Sequence, residues 1–412
     1  MTVDARPSHF WTVNYTGFVI LTASILGGGA GQGYWTDHLV EILMLPAVFI
    51  GITNIGHSRF ETAGRAFALF VLAFLALQFL PVSTPKSLPV FAGLDHLELW
   101  TASPEKSLNS ATFLACLVGF GLFVSLMPDE QHQRLVKFVF LGLAIHMLIG
   151  LIQLSYSANT AADGYLPFII RSGLFSNENH LSAFVFAAIP LVAWRFLSLE
   201  ARPLVYIVAA LLIVGFLFAV GSRAGMALSA GLSVFCLFWF MLARKPISYR
   251  LVYVALGAAI FLFVMAQNGM DTALEGDLRQ VFFKNTLKAI QDHWLFGTGI
   301  GTFTLVYPYY QPDSEIINVY ANHAHNDLLE FYLEGGVLAG LILVSGAVLV
   351  VKNMFRSPLA QAGALSVFAL GIHSIVDYPL RTFANAATLT VLFAIILSVK
   401  PAPKPDTNSI GY

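Results

Sequence analysis

Apolar runs long enough to cross a bilayer recur along almost the whole chain, separated by short polar connections. Only 11% of the 412 residues are charged while 57% are hydrophobic, whereas a soluble domain carries about 25% charged residues. That leaves too little charge to cover a globular surface in water, so the bilayer is the main solvent. A window of roughly 20 apolar residues per helix places spans near 14–32, 38–56, 65–82, 110–127, 135–156, 181–198, 204–221, 224–243, 251–267, 328–351, 360–376 and 384–399. The sequence predicts an all-α, polytopic transmembrane bundle of about 12 spans. It divides into a bundle over 1–267 (spans one to nine), a large external loop over 268–327, three further spans over 328–399 and a tail over 400–412.

Charge sets the rest of the frame. A formal net charge of −1 excludes a nucleic-acid binder driven by bulk positive charge. Cys116 and Cys236 both sit in apolar runs, which leaves no disulfide framework and no zinc cluster. Fourteen of the 22 Lys and Arg, among them Arg59, Arg134, Arg195, Arg244 and Arg356, fall on one side of the alternating spans. The other eight are Lys86, Lys106, Arg171, Arg223, Arg279, Lys284, Lys288 and Arg381. The positive-inside bias then predicts cytoplasmic termini, and Met1–Phe10 lacks the basic start and cleavage pattern of a signal peptide.

The external connections are the long ones: 83–109, 157–180 and 268–327. In the last, Leu278, Phe282, Leu287 and Ile290 recur at helical spacing, which predicts an amphipathic helix over Leu278–Ile290 lying at the membrane face. Leu88, Phe91, Leu94 and Leu97 form a weaker version.

Polar residues gather where this external side meets the spans. Arg171 opens Arg-Ser-Gly-Leu-Phe-Ser-Asn-Glu-Asn-His180, in which Asn177 or Asn179 can cap the following helix. Arg223 lies in the turn Gly-Ser-Arg-Ala-Gly, Arg279 on the amphipathic segment, and Asn322-His-Ala-His-Asn-Asp327 directly before a span. One arginine at a membrane face snorkels or meets lipid phosphate. Several on the side that should avoid them suit a diphosphate, because the planar guanidinium pairs bidentately with phosphate oxygens. His323 and His325 are a weak metal pair without a third ligand. One of them as a general base fits better, oriented by Asp327, Glu330 or Glu334. Gly297-Thr-Gly299-Ile-Gly301 lacks the strand and later acid of a dinucleotide site and reads as a tight turn. His146 reads as a satisfied interior histidine, and Glu41 and Asp377 as interfacial.

In order along the chain, these motifs resemble the bacterial O-antigen ligase and O-antigen polymerase superfamily. Arg171 to Ala183 resembles its R-x-G-x-F-x-N-x-N-x-x-A signature, and Ser222-Arg223-Ala224 its S-R turn. Arg279 to Phe283 with His293 to Phe303 resembles the arginine-to-glycine part of the large loop. His323 to Glu330 with Glu334-Gly-Gly resembles H-x-H-N-x-x-L…E-x-G, and His373 to Asp377 a late H-x-x-x-D element. Phe283 stands where relatives often have Trp or Tyr. The matches span about 171 to 385, and the first 160 residues match in hydropathy alone.

The resemblance implies a GT-C-like glycosyltransferase in the bacterial inner membrane, with its active site facing the periplasm. Its donor would be a glycan on undecaprenyl diphosphate. Its acceptor would be lipid A–core or, in a polymerase, a second lipid-linked glycan, with no nucleotide sugar and no metal or other cofactor required. Transfer to protein is a third acceptor option within this chemistry. The resemblance assigns diphosphate binding to Arg171 and Arg279 and acceptor activation to His325, with Arg223, His323, Asn326 and Asn179 as further substrate-binding positions. The residue chemistry agrees: a diphosphate leaving group needs cationic stabilisation and the attacking hydroxyl needs a base. A twelve-span transporter is the alternative from another class, but the paired broken helices and inverted repeats it calls for are not evident.

Overall fold

A computed structural model describes residues 9–31, 33–81, 100–159, 172–243, 245, 248–249, 278–315 and 321–400. Regular structure among them is helical throughout: α1 His9–Leu26, α2 Trp35–Thr53, α3 Thr62–Leu77, α4 Pro104–Ser125, α5 Asp129–Asn159, α6 Glu178–Leu199, α7 Pro203–Val220, α8 Arg223–Met241, α9 Leu278–His293, α10 Asp327–Asn353, α11 Pro358–His373 and α12 Phe383–Ser398. Seven of these (α2, α4–α8 and α10) are long and apolar enough to cross a membrane, and α1, α3, α11 and α12 are shorter apolar helices. The chain is a polytopic helical membrane protein. The span expected over 251–267, the pattern from Leu88 to Leu97, residues 268–277 and 316–320 of the external loop, and the tail from 401 lie outside the described residues.

Local chemistry starts the helices. Side chains of Ser103, Asn177, Ser222, Asn326, Ser357 and Thr382 each accept a hydrogen bond from a first-turn N–H, and Pro104, Pro203 and Pro358 take the position where no N–H is needed. Of the two capping candidates before α6, Asn177 is the cap. Phe49, Leu204, Leu211, Phe218 and Val348 stay exposed on the outer faces of α2, α7 and α10, as suits contact with lipid tails. One end of the bundle holds the ion pairs Arg59–Asp129 and Arg356–Glu61. The starts of α2, α4, α10 and α12 and the end of α11 gather at the opposite end.

At that second end α10 is broken. Gly336 sits at φ 58°, ψ −147°, a conformation essentially confined to glycine. The break frees the carbonyls of Leu333 and Glu334 to accept from Thr298 N–H (3.1 Å) and Gly299 N–H (2.8 Å), while Val337 N–H donates to Leu295 O (3.1 Å). The glycine turn thus docks backbone to backbone in the break, and a Cβ on Gly297 or Gly336 would overlap the facing carbonyl. We expect Gly336→Ala to destabilise the protein by about 1–3 kcal/mol or more, read as a lowered thermal midpoint in lipid nanodiscs. An unchanged midpoint would show that the break is not required.

The candidate active site

Four segments distant in sequence converge beside the broken helix: the turn before α6, helix α9, the stretch 321–327 and the loop 374–382 between α11 and α12. Asp377 is at their centre with its side chain 1% exposed. Its Oδ1 lies 3.6 Å from His325 Nδ1 and 3.8 Å from His180 Nε2, and its Oδ2 lies 3.7 Å from Arg279 Nη2. Burial alone would raise the Asp377 carboxyl, but the imidazoles of His180, His325 and His373 facing it hold it well below the usual carboxylate range. It is therefore ionised at neutral pH.

His325 is pointed there by its backbone and by its neighbours. Its φ of 51° is unusual for a residue with a side chain. The ring stacks on Phe282 of α9 (centroids 5.5 Å) and meets Tyr378 edge-on (4.7 Å). With Nδ1 turned to a carboxylate, Nε2 is the nitrogen left for an incoming group, and the side chain keeps 21% exposure. The 3.6 Å separation is an ion-pair distance, longer than a hydrogen bond, and such contacts often tighten when substrate binds.

The residues around His325 are fully engaged. His323 reaches Glu330 Oε1 through Nδ1 and the Ala30 carbonyl through Nε2, both at 2.8 Å, so neither nitrogen remains for a ligand. Ala324 N–H donates to Glu330 Oε2 at 2.7 Å. Asn326 Oδ1 caps α10 by accepting from Leu328 and Leu329 N–H, and its Nδ2 donates to Ile375 O. Asn179 Oδ1 accepts from Ser222 Oγ at 2.8 Å, tying the first turn of α6 to the turn that carries Arg223. His323, Asn326 and Asn179, expected on substrate, thus direct these polar atoms to the protein itself. The carboxylate beside His325 is Asp377, not Asp327, Glu330 or Glu334, because those three face elsewhere. Arg171 lies outside the described residues. So does the Arg223 side chain, although its backbone opens α8 after the left-handed Gly221 and the cap Ser222.

Those three carboxylates surround Arg381. Its Nη2 lies 3.1 Å from Glu334 and 3.3 Å from Glu330, and its Nε 3.7 Å from Asp327. Glu334 also accepts from Phe303 N–H, and Asp327 from Ser374 Oγ and Leu380 N–H. One cation thereby joins α10, the glycine turn and the loop that carries Asp377. Sequence patterning gave Arg381 no role beyond a surface cation. A signal existed: Asp327, Glu330 and Glu334 fall on one helical face, and that face needs a counter-charge.

Helix α9 forms where the amphipathic pattern predicts it, but with a different inner face. Phe282, Asn285, Thr286, Ala289 and His293 are buried, while Leu278 and Leu287 are exposed. On this inner face Asn285 donates to Glu315 Oε2 (2.7 Å), while Thr286 Oγ1 donates within its own helix to Phe282 O (2.7 Å). The leucines are left for the membrane interface. Within the bundle His146 is held between Ser24 O and Leu174 N–H, next to Gln153, which pairs with Gly173 through both its amide atoms.

Two outcomes follow from these contacts. Arg381→Met leaves three buried carboxylates without their cation, and we expect a loss of about 3–5 kcal/mol, with partial recovery in Arg381→Lys, read by thermal unfolding. A small effect in both would mean the carboxylates are neutral in the folded protein. His323 is a pH-sensitive member of the cluster. Burial lowers its basicity, yet Glu330 more than compensates and leaves it above the ordinary histidine value, against the opposing charge of Arg381. Its contribution is complete below the unfolded value of about 6.5 and is lost as pH rises through the raised folded value. We therefore expect stability to fall above neutral pH in the wild type, with a flatter profile in His323→Gln.

The family described as O-Antigen ligase matches residues 208–344, about a third of the chain, which include Arg279, His323, His325 and Asn326. No curated protein matches the chain. Over residues 208–344 the chain is similar to the O-Antigen ligase family, and this supports its place in the O-antigen ligase and polymerase superfamily.

Proposed function

We propose that the chain is an O-antigen ligase-type glycosyltransferase. It transfers a glycan from undecaprenyl diphosphate to a hydroxyl of lipid A–core at the periplasmic face of the bacterial inner membrane. In this reading the bundle is a GT-C-like fold of twelve spans with both termini in the cytoplasm. The observation that carries it is the convergence of His325 and Arg279 on Asp377, which puts a candidate base and a candidate phosphate ligand beside one another.

The chemistry follows from the groups present. The acceptor oxygen attacks the anomeric carbon as its proton passes to His325 Nε2. The bond from that carbon to the phosphate oxygen breaks, and undecaprenyl diphosphate leaves with the bonding electrons. Arg279, joined in this proposal by Arg171 and Arg223, stabilises the charge that develops on the diphosphate. Asp377 holds the imidazole and favours the imidazolium that forms, as a positioning residue. No residue needs to form a covalent intermediate, so the anomeric centre inverts. The same site serves a repeat-unit polymerase, whose acceptor is a second lipid-linked glycan.

The test is transfer from a purified undecaprenyl-diphosphate glycan by protein in nanodiscs. We expect His325→Ala to lose about 100-fold or more and Arg279→Ala about 100- to 1,000-fold, at equal amounts of folded protein. Undiminished transfer by both variants would sink the assignment. Offering lipid A–core and a second lipid-linked glycan in competition separates ligase from polymerase.

A further inference from the structure

A cavity of about 810 Å³ runs between α2, α3, α4, α10, α11 and α12. Its walls are apolar, with Phe67, Phe113, Phe331, Phe368 and Phe393 among them, and it follows the length of the bundle. Apart from Thr390 on α12, whose hydroxyl donates to Ala386 O, its polar lining gathers at the end where the active-site segments meet: Asp37, His38 and Glu41 on α2, Asn109 and Ser110 on α4, and Asp327, Glu334 and Arg381. A large apolar pocket with a few convergent polar groups is the form ligand sites take. In a membrane protein the matching ligand is an amphiphile, its chain in the groove and its head at the mouth.

The mouth selects the head. Arg381 is committed to Glu330 and Glu334, and His38 Nδ1 to Glu41 Oε2 at 2.8 Å. Asp37 is 7% exposed, and its Oδ1 has no hydrogen-bond partner among the described residues. A buried acceptor without a donor is costly, and a ligand can supply what is missing. Carboxylates repel a diphosphate and accept hydrogen bonds from hydroxyls. The mouth is also continuous with the segment that carries His325: Asp327 follows it by two residues, and Ala30, on the cavity wall, accepts from His323.

We infer that this groove binds a lipid-anchored glycan, with its hydrocarbon chain between the helices and its sugar hydroxyls on Asp37 and Glu41. This rests on the glycosyl transfer proposed above and makes the groove the acceptor's side of the reaction. The donor diphosphate stays apart, at Arg279.

The experiment uses the full chain in lipid nanodiscs and an alkyl glucoside with a diazirine at the chain terminus. After irradiation, we expect label on the groove-facing stretches of α4 and α12, around Phe113 and Phe393. An excess of geranylgeranyl diphosphate or of phosphatidylethanolamine is expected to leave that label in place. Asp37→Asn is expected to reduce labelling about tenfold, the weight of one hydrogen bond to a charged group. Gly346→Leu, which fills the groove and leaves Asp37 untouched, is expected to abolish it, and decides the matter if Asp37→Asn does not fold. Displacement by the diphosphate or the phospholipid, label elsewhere, or wild-type labelling of folded Gly346→Leu would each overturn the inference. Binding of geranylgeranyl diphosphate to wild type and to Arg279→Ala is measured alongside. Its failure would count against the donor site alone.

Discussion

The guanidinium of Arg381, enclosed by Asp327, Glu330 and Glu334, is the interaction on which the external end of the bundle depends. Three carboxylates on the first turns of one helix would repel one another and resist burial, and a single planar cation with several donors makes their convergence tolerable. Each carboxylate then carries a second connection. Glu334 holds the glycine turn through Phe303 N–H, Asp327 holds the loop before α12 through Leu380 N–H, and Glu330 holds His323 and Ala324. The elements that meet here are far apart in sequence, and a small buried cluster of Phe282, Ala289, Phe303, Tyr307, Ala321, Ala324 and Leu333 packs α9, the 303–307 stretch and α10 together. Charge and hydrogen bonding then fix how the segments face one another.

What that scaffold delivers is a histidine in an unusual backbone conformation. Residues 323, 324, 326 and 327 are all fixed by bonds to Ala30, Glu330, Ile375 and Ser374, and His325 between them turns to φ 51°. Strain of this kind persists where the surroundings over-determine the chain. The result is an imidazole clamped between Phe282 and Tyr378 and directed at Asp377, on which Arg279 also bears. In the mechanism proposed above, base and cation therefore share one positioning carboxylate. Burial pushes the Tyr378 hydroxyl up to about 12, so at neutral pH that ring adds no charge to the cluster.

Much of this was legible in the sequence. Apolar run length locates the helices, and the capping candidate Asn177 marks where α6 begins, because both signals are local. The motifs marked the stretches that converge, but not which atom of each faces which. His323 and His325 are two residues apart and chemically alike, and only the fold turns one into Glu330 and Ala30 and the other to Asp377. Proximity in sequence, which is all that patterning offers, points to Asp327, Glu330 or Glu334 as the acid that orients one of the two histidines; Glu330 does pair with His323, but the partner of His325 is Asp377. Asp377 reaches it through the packing of α11 on α6 and α10. The acidic face of Asp327, Glu330 and Glu334 calls for a cation, but that the cation is Arg381 is hidden for the same reason. On α9 the helix is where the pattern predicts it, but the inner face is not the expected one: Phe282 is buried with Asn285, Thr286 and Ala289, while Leu278 and Leu287 are exposed. Asn285 bonds Glu315 across that inner face, and the leucines are of a kind that a membrane surface can accept in place of a core.

The central claim is that His325 supplies the base and Arg279 the charge that the leaving group needs. Chemical rescue tests it most directly: transfer by His325→Gly in nanodiscs, with increasing imidazole in solution. The proposed mechanism predicts that imidazole restores transfer to His325→Gly in a saturable manner and does nothing for Arg279→Ala. A folded His325→Gly protein that transfers glycan at the wild-type rate without imidazole would contradict it.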